Sequence, residues 1–243
     1  MSGHSKWSNI KRKKEKTDTQ KAKIYTKIGR EIAVAVKSGG PDPETNAKLK
    51  DIISKARSNN MPGDNIKRCI EKAAGSQDND NYEEVVYEGY GPKGVAVIVE
   101  TLTDNRNRTA SDIRHYFDKF GGNLGTSGCV SFLFDKKGII LIEKTDSLDE
   151  ETVMTDAMDA GANDFNEDDD YYEILTAWED LSAIRDELEG KGYTFEKAEV
   201  SLIPTTYTAL TDENDILMMS RLLEHLEEND DVQEVYHNWE NEE

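Results

Sequence analysis

The first sixteen residues show no helical periodicity and are predicted to form a flexible basic arm, whereas from about residue 17 to residue 75 apolar residues recur three or four residues apart, which is the spacing of one face of an α-helix. In the first such segment Ile24, Ile28 and Ile32 form the apolar stripe, and three short segments of this kind predict a small helical bundle. The three predicted helices run from about residue 17 to Gly39, from 46 to 59, and from the break at residues 60–64 to Gly75.

Beyond residue 82 the apolar positions change to a period of two, which indicates β-strands with helices between them. Residues 138–203 follow the order βαββαβ, which is that of a ferredoxin-like domain, and a Ser147-x-x-Glu150 capping box predicts the start of its first helix. The flanking segments predict the same order again, with a strand at 95–102, a helix at 109–120, strands near 123 and at 130–134, a helix at 213–228 and a strand at 232–237. A further strand is predicted at 85–89.

These elements predict an α+β protein in which an N-terminal three-helix domain is followed by two ferredoxin-like α/β domains, one inserted in the other. The polar segment Ser76–Tyr82 is the predicted linker. The predicted domains are residues 1–78, residues 79–135 together with 206–243, and the inserted residues 136–205.

Charge is distributed unevenly along the chain. The 243 residues carry a formal net charge of −20, yet residues 1–75 hold 18 Lys and Arg against 8 Asp and Glu, a net charge of +10. The other residues hold 12 basic against 42 acidic side chains, a net charge of −30. Because physiological salt screens charge over about 8 Å, the basic part keeps its own positive potential. This segregation favours a polyanionic partner for the N-terminal part.

Several other functions find no support in the sequence. No apolar run approaches the roughly 18 residues of a membrane span, and no apolar segment follows the N-terminus, so we expect a cytoplasmic protein without membrane association. Cys69 and Cys129 have no neighbouring His or Cys, which excludes a disulfide framework and an ordinary zinc site. The four histidines lie in no catalytic motif, so no catalytic residue, metal, cofactor or small-molecule substrate is expected.

Two motifs and the C-terminal acids have plain structural explanations. Gly89-x-Gly91-x-x-Gly94 matches a dinucleotide-binding fingerprint by letter, but Pro92 interrupts it and a strand follows, so a hairpin turn is predicted. Asp168–Asp170 lacks the spacing of a calcium loop and is predicted to be a solvated loop. The acidic residues from Glu224 to Glu243 are predicted to form a solvated helix face and tail.

The first thirty residues contain the strongest candidate for a binding site, with 10 basic residues against 2 acidic ones. Lys and Arg neutralise phosphates, and Trp7 is placed to stack on a base. The alternative is a solubilising tail followed by a fully solvated helix face. The candidate nucleic-acid ligands are Lys6, Trp7, Lys11, Arg12, Lys13, Lys14 and Lys16 in a basic arm, and Lys23, Lys27 and Arg30 on the first helix.

The break between the second and third helices is a further candidate. The turn Asn59–Asn65 places amides, together with Lys67 and Arg68, at the start of a helix, where phosphates bind well. A plain connection between two helices explains the same residues equally well. The segments Asp104–Arg108 and Gly121–Gly125 are explained mainly by helix caps and turns.

A set of short motifs is spread from residue 3 to residue 125. They are Gly3-His-Ser-Lys-Trp7, Asn9-Ile-Lys11, Ile24-Tyr-Thr-Lys-Ile28, Arg30-Glu-Ile32, Asn59-Asn-Met-Pro62, Asp64-Asn-Ile66, Tyr87-Glu-Gly-Tyr-Gly-Pro92, Thr103-Asp-Asn-Arg106 and Gly121-Gly-Asn-Leu-Gly125. Taken together, these motifs resemble the YebC/PmpR family, whose mitochondrial relatives include the translational activator of cytochrome c oxidase subunit I.

The resemblance implies a three-domain cytosolic bacterial protein with a nucleic-acid surface at Lys6, Trp7, Lys11, Lys27 and Arg30, and loop candidates at Asn60, Met61 and Asn65. Family members are described as DNA-binding transcriptional regulators and as ribosome-associated factors that help translation through proline-rich stretches. The family usually has a basic residue after Met-Pro, and Gly63 at this position weakens a phosphate role for the turn.

The sequence therefore predicts a non-enzymatic nucleic-acid-binding regulator of gene expression. A transcriptional regulator would bind duplex DNA, whereas a translation factor would bind ribosomal or transfer RNA on the ribosome. The basic residues alone do not separate DNA from RNA, and the charge of −30 beyond residue 75 leans slightly to RNA. An enzyme acting on a polyanionic substrate is the outside alternative.

Overall fold

The computed structural model describes residues 18–75, 82–168 and 170–240. Across these residues the chain forms seven α-helices and eight β-strands. The helices are α1 (Asp18–Gly39), α2 (Ala47–Ser58), α3 (Gly63–Gly75), α4 (Arg106–Lys119), α5 (Glu150–Asp159), α6 (Leu181–Gly190) and α7 (Glu213–Glu228). The strands are β1 (Glu83–Tyr90), β2 (Ala96–Thr103), β3 (Asn123–Leu124), β4 (Phe134–Glu143), β5 (Asp164–Glu167), β6 (Tyr171–Ala177), β7 (Lys197–Pro204) and β8 (Val232–His237).

The described residues group into two compact units. Unit 1 contains the residues up to Pro41, Cys69–Asp135 and the residues from Pro204 onward, and unit 2 contains Asp42–Arg68 and Lys136–Ile203. Helix α1 therefore belongs to unit 1 and α2 to unit 2, while α3 passes from one unit to the other after Arg68.

Unit 1 is built on an antiparallel sheet with the strand order β3-β1-β2-β8. Helices α4 and α7 supply apolar side chains to its core because every third or fourth residue of each helix is apolar. The sheet supplies alternate residues of β2, as expected for a strand that is buried on this face. The core includes Val95, Val97, Val99, Ile113, Phe117, Met219, Leu222 and Leu226.

One strand of this sheet was predicted wrongly from the sequence. Residues 130–134 were expected to form a strand, but Ser131–Leu133 is a short 3-10 turn, and the strand that follows is one long element from Phe134 to Glu143. The sheet position between β3 and β2 is occupied instead by β1, which precedes both strands in the sequence. In the ferredoxin-like sheet, β1 thus takes the position that was expected for the strand at 130–134. It pairs with β2 to form a hairpin.

Unit 2 contains the second four-stranded sheet, with the order β5-β6-β4-β7. The chain passes through β4, α5, β5, β6, α6 and β7, which confirms the predicted βαββαβ order. Its core contains Ile140, Ile142, Val153, Ile174, Ile184 and Leu188. Together with the N-terminal helices, the two sheets confirm the predicted α+β fold with one ferredoxin-like domain inserted in another.

Local capping explains where several elements begin and end. The Asn46 side chain accepts a hydrogen bond from the Leu49 N–H at 3.1 Å and begins α2. The predicted capping box at Ser147 is wrong, because Asp149 caps α5 by accepting from the Thr152 N–H at 3.0 Å. Residues Pro92–Gly94 form a tight turn between antiparallel β1 and β2, which confirms the predicted hairpin.

No helix in the described ranges is long and apolar enough to cross a membrane.

Candidate nucleic-acid interface

The seven arm candidates lie outside the described residues. The assignments of Lys6, Trp7, Lys11, Arg12, Lys13, Lys14 and Lys16 as nucleic-acid ligands therefore stay predictions.

Helix α1 holds the other basic candidates on one face. Ile28 and Ile32 are fully buried, as the apolar periodicity predicts. The helix ends where the Gly40 N–H donates to the Val36 carbonyl at 2.8 Å, with a φ of +86° at Gly40 that favours glycine. We call Lys23, Lys27 and Arg30 the basic face of α1, since residues spaced by four and three lie along one side of a helix.

Lys23 and Lys27 both contact the end of α7 within unit 1. The Lys27 ammonium donates to the backbone carbonyl of Glu227 at 2.9 Å, and Lys23 Nζ lies 3.9 Å from a carboxylate oxygen of Glu228. Burial lowers the pKa of Lys27, although the negative charges of Glu234, Glu227 and Asp230 oppose the shift. The ammonium groups that were predicted to bind phosphate therefore already lie near oxygen atoms of α7.

Arg30 is bound more tightly than either lysine. Its Nη1 donates to the backbone carbonyl of Asp230 at 2.6 Å and to Oδ1 of Asp231 at 2.9 Å, and its guanidinium lies 5.5 Å from the centre of the Tyr82 ring. The Arg30 side chain is 20% exposed. The structure therefore gives Arg30 a structural role inside unit 1.

Asp231 is the centre of a buried charged network. Its Oδ2 accepts from Arg108 Nη2 and from the Thr109 hydroxyl, both at 2.7 Å, and from the Thr103 hydroxyl at 3.3 Å. Burial alone would raise the pKa of Asp231, but the donors Arg108, Thr109 and Arg30 outweigh it and hold the pKa below its ordinary value. The prediction that all acids from Glu224 onward are solvated is therefore wrong for Asp231.

The segment around Asp104 serves the same network, and its caps were predicted correctly. The Asn105 side chain accepts from the Arg108 N–H at 3.1 Å and begins α4. This cap places Arg108 and Thr109 in the first turn of the helix, where both reach Asp231.

The turn between α2 and α3 combines buried and exposed candidates within unit 2. The side chain of Met61 is buried and packs in the interior, and its N–H donates to the Ala56 carbonyl at 2.9 Å.

The other candidates of this turn are more exposed. Asn60 is exposed and adopts a left-handed φ of 58°, which Asn tolerates better than most residues. Asn65 is half-buried, and its N–H donates to the Pro62 carbonyl at 2.9 Å. Lys67 and Arg68 are both exposed on the first turns of α3.

A second charged network in unit 2 binds α2 to α6. The buried Arg185 guanidinium donates to Oδ1 of Asp51 at 3.0 Å and to Oδ1 of Asp186 at 2.8 Å. Lys50 completes the network with a 2.6 Å contact to the other oxygen of Asp186. Lys50 and Asp51 of α2 are thus engaged in attaching this helix to the inserted domain.

Glu88, which was not among the predicted candidate residues, is buried. Its carboxylate accepts hydrogen bonds from the N–H groups of Gly128, Val130 and Ser131 at 2.7 to 2.9 Å. Burial would raise the pKa of Glu88, but these three donors hold it below its ordinary value. A charged residue amid the apolar alternation of β1 was the available signal, but only the fold identifies the loop that it binds.

In the part of the chain that the structure describes, no group of three or more His, Cys, Asp or Glu side chains is arranged to hold a metal ion.

Comparison with known proteins covers nearly the whole chain. A family model described as the TACO1/YebC protein N-terminal domain matches residues 5–76, and one described as the TACO1/YebC second and third domain matches residues 82–239.

Curated relatives share much of the sequence and a common name. A probable transcriptional regulatory protein of Acetivibrio thermocellus is 64% identical over 239 residues, which cover 98% of this chain and 99% of the relative. A protein with the same name from Ruminiclostridium cellulolyticum is 62% identical over 243 residues, covering 100% of this chain and 98% of the relative.

A solved structure supports the same relationship. The crystal structure of a conserved hypothetical protein from Aquifex aeolicus is similar with a TM-score of 0.82 at 44% sequence identity, over 94% of both chains. With both family models matched, and with relatives that align end to end, the chain belongs to the TACO1/YebC family.

Proposed function

We propose that this protein is a cytosolic, non-enzymatic, nucleic-acid-binding regulator of gene expression. The observation that carries the proposal is the separation of charge, with +10 on residues 1–75 and −30 on the rest of the chain. The names of the relatives, probable transcriptional regulatory proteins, support a regulatory role.

The basic arm supplies most of the affinity in this proposal. Each Lys or Arg that neutralises a phosphate releases condensed counterions, so binding is strong at low salt and largely independent of sequence. Trp7 adds stacking on an unpaired base, which is worth roughly 1–3 kcal/mol. Exposed Lys67 and Arg68 are the candidates in unit 2 that extend the phosphate contacts beyond the arm.

The arm is tested by replacing Lys11, Arg12, Lys13 and Lys14 with Ala. Fluorescence anisotropy with labelled duplex DNA and a labelled RNA hairpin should show weaker binding to both, with little change in melting temperature. The slope of log affinity against log salt should fall by about four, because about one counterion is released for each phosphate contact.

A matched control removes the same charge from the α/β part of the chain. Arg114, Lys119, Lys137 and Arg221 lie outside the arm, and their replacement by Ala should leave affinity nearly unchanged. Equal losses in the two variants, or no loss in the arm variant, would remove the arm from the proposal. For the wild type, affinity should fall on the order of a thousandfold between 50 and 200 mM salt if six or more phosphates are contacted.

A second candidate function is a ribosome-associated translation factor that binds ribosomal or transfer RNA. The charge of −30 beyond residue 75 favours it, since so acidic a body is repelled along an extended duplex but tolerated among ribosomal proteins. Lysate sedimentation through a sucrose gradient, with and without RNase, separates the two functions. RNase-sensitive migration with ribosomal particles, lost in the arm variant, supports translation, whereas protein that stays off ribosomes and binds promoter DNA supports transcription.

A further inference from the structure

The basic face of α1 is already occupied within unit 1. Its three side chains contact a single short segment, Glu227–Asp231, which we call the acidic turn. This segment comprises the last two residues of α7 and the connection to β8. Lys27 and Arg30 bind backbone carbonyls of this turn, and Lys23 lies near the Glu228 carboxylate.

The acidic turn presents the same chemistry that a nucleic-acid backbone would present. The carbonyl of Glu227 belongs to the last turn of α7, where helix carbonyls lack partners inside the helix and the helix dipole is negative. Glu227, Glu228 and Asp230 add three exposed carboxylates around these carbonyls. Lys and Arg side chains satisfy such oxygens just as they satisfy phosphate oxygens.

We infer that the acidic turn is an intramolecular competitor at the basic face of α1, so that a polyanion binds Lys23 and Lys27 only by competing with the carbonyls and carboxylates of this turn. The inference rests on the proposed nucleic-acid binding and assigns a specificity role to Glu227, Glu228 and Asp230. A ligand with sparse negative charge competes poorly, because the fold of unit 1 already holds the oxygens of the acidic turn against these side chains. A ligand with densely spaced phosphates, held first by the arm, is favoured.

Asp231 belongs to the acidic turn but is buried, so it is not one of the residues to which we assign the specificity role. It binds Arg108 and Thr109 of α4 as well as Arg30, so its replacement would disturb the fold of unit 1. The exposed side chains of the turn are therefore the ones to change. Their neutralisation leaves in place the backbone carbonyls that Lys27 and Arg30 contact.

The test is a triple substitution, Glu227→Gln, Glu228→Gln and Asp230→Asn, in the full chain. Affinity for a labelled RNA hairpin and for duplex DNA should rise about tenfold at low salt, since three exposed charge interactions together change an equilibrium constant by roughly one power of ten. The gain should shrink as salt is raised, because salt screens exposed charges.

A control with the same change in net charge replaces the exposed carboxylates Glu151, Glu179 and Glu189 of unit 2 with Gln. It should alter affinity less than the triple variant does, because these three carboxylates are not part of the acidic turn that contacts Lys23 and Lys27. Adding Lys23→Gln and Lys27→Gln to the triple variant should abolish the gain, because the gain acts through these two ammonium groups. Circular dichroism melting checks that each variant is folded.

The outcomes separate the competitor from the proposed function. Suppose that the wild type binds nucleic acid and the arm variant does not. If the triple variant then shows no gain in affinity, or the control variant gains equally, the inference of an intramolecular competitor is wrong and the proposed nucleic-acid binding stands. A gain that survives loss of Lys23 and Lys27 also overturns the competitor. If neither the wild type nor the triple variant binds either probe, the proposed function itself falls.

Discussion

Asp231 in unit 1 and Arg185 in unit 2 each bind an N-terminal helix to an α/β domain, but the buried charge has the opposite sign in the two networks. In unit 1 the acid is buried, with a side chain that is 6% exposed, and it binds Arg30 of α1. In unit 2 the base is buried, with a side chain that is 5% exposed, and it binds Asp51 of α2, which is 47% exposed.

The burial of the partners determines what each network contributes. Around Asp231, Arg108 is half-exposed, but Arg30 is largely buried and Thr103 and Thr109 are fully buried, so these last three donors reach water poorly if the carboxylate is lost. Around Arg185, the carboxylates of Asp51 and Asp186 are half-exposed and are readily hydrated. The first network is therefore expected to matter more to stability than the second.

The largest effect is expected for Asp231→Ala. The substitution removes a carboxylate that accepts from Arg30, Arg108 and Thr109, and it leaves a mostly buried guanidinium without an acidic partner. Breaking a buried ion pair in this way costs about 3 kcal/mol of the free energy of unfolding. Urea unfolding followed by circular dichroism measures the loss.

Arg30→Ala is the matched comparison for this network. It leaves Asp231 bound to Arg108 and Thr109, so the loss should be about 1 kcal/mol. If Asp231→Ala costs no more than Arg30→Ala, the carboxylate is not the centre of the network and the comparison of the two units fails.

A smaller effect, which depends on pH, is expected for Asp231→Asn. Because the folded state holds the pKa of Asp231 below its ordinary value, the wild type gains stability from this carboxylate above the unfolded pKa of about 4. That gain is lost as pH falls through the lowered folded pKa, where the carboxylate takes up a proton. Unfolding of both proteins from pH 7 down to pH 2.5 should show their stability difference shrinking in acid.

The difference between the two proteins is the quantity to follow, since other carboxylates also titrate in this range. The pKa of Glu88 is likewise held below its ordinary value, and its contribution cancels in the difference. A stability gap that stays constant over the whole range would mean that the charge of Asp231 is not what stabilises unit 1.

Periodicity located the elements well because it depends on burial along one chain segment. The helices at 213–228 and 46–59 and the strand at 232–237 were predicted within a residue or so of their observed bounds. The failures occur where a local pattern competes with a tertiary partner. Residues 130–134 are apolar enough for a strand, but the N–H groups of Val130 and Ser131 bind the Glu88 carboxylate and not a neighbouring strand.

The candidate interface was harder to predict than the fold. Charge counting found the basic face of α1, but the sequence holds no sign that Lys27 and Arg30 contact a segment 200 residues away. Met61 was a candidate ligand by motif, yet its side chain is buried. A one-dimensional pattern identifies which residues are charged or apolar, whereas the partner of each depends on the packing of distant elements.

The smallest effect is expected for Arg185→Met in unit 2. Methionine retains the apolar stem, and the half-exposed Asp51 and Asp186 that lose the guanidinium are hydrated by water. Because replacing a buried charge by an apolar side chain of similar volume is often close to neutral, the free energy of unfolding should change by less than about 1 kcal/mol.

Urea unfolding compares this variant with Asp51→Ala. That substitution leaves the buried guanidinium of Arg185 one acceptor short and should cost about 1–2 kcal/mol of the free energy of unfolding. A larger loss for Arg185→Met than for Asp51→Ala would show that the exposed acids depend on the buried base, which is the reverse of the order argued for unit 2.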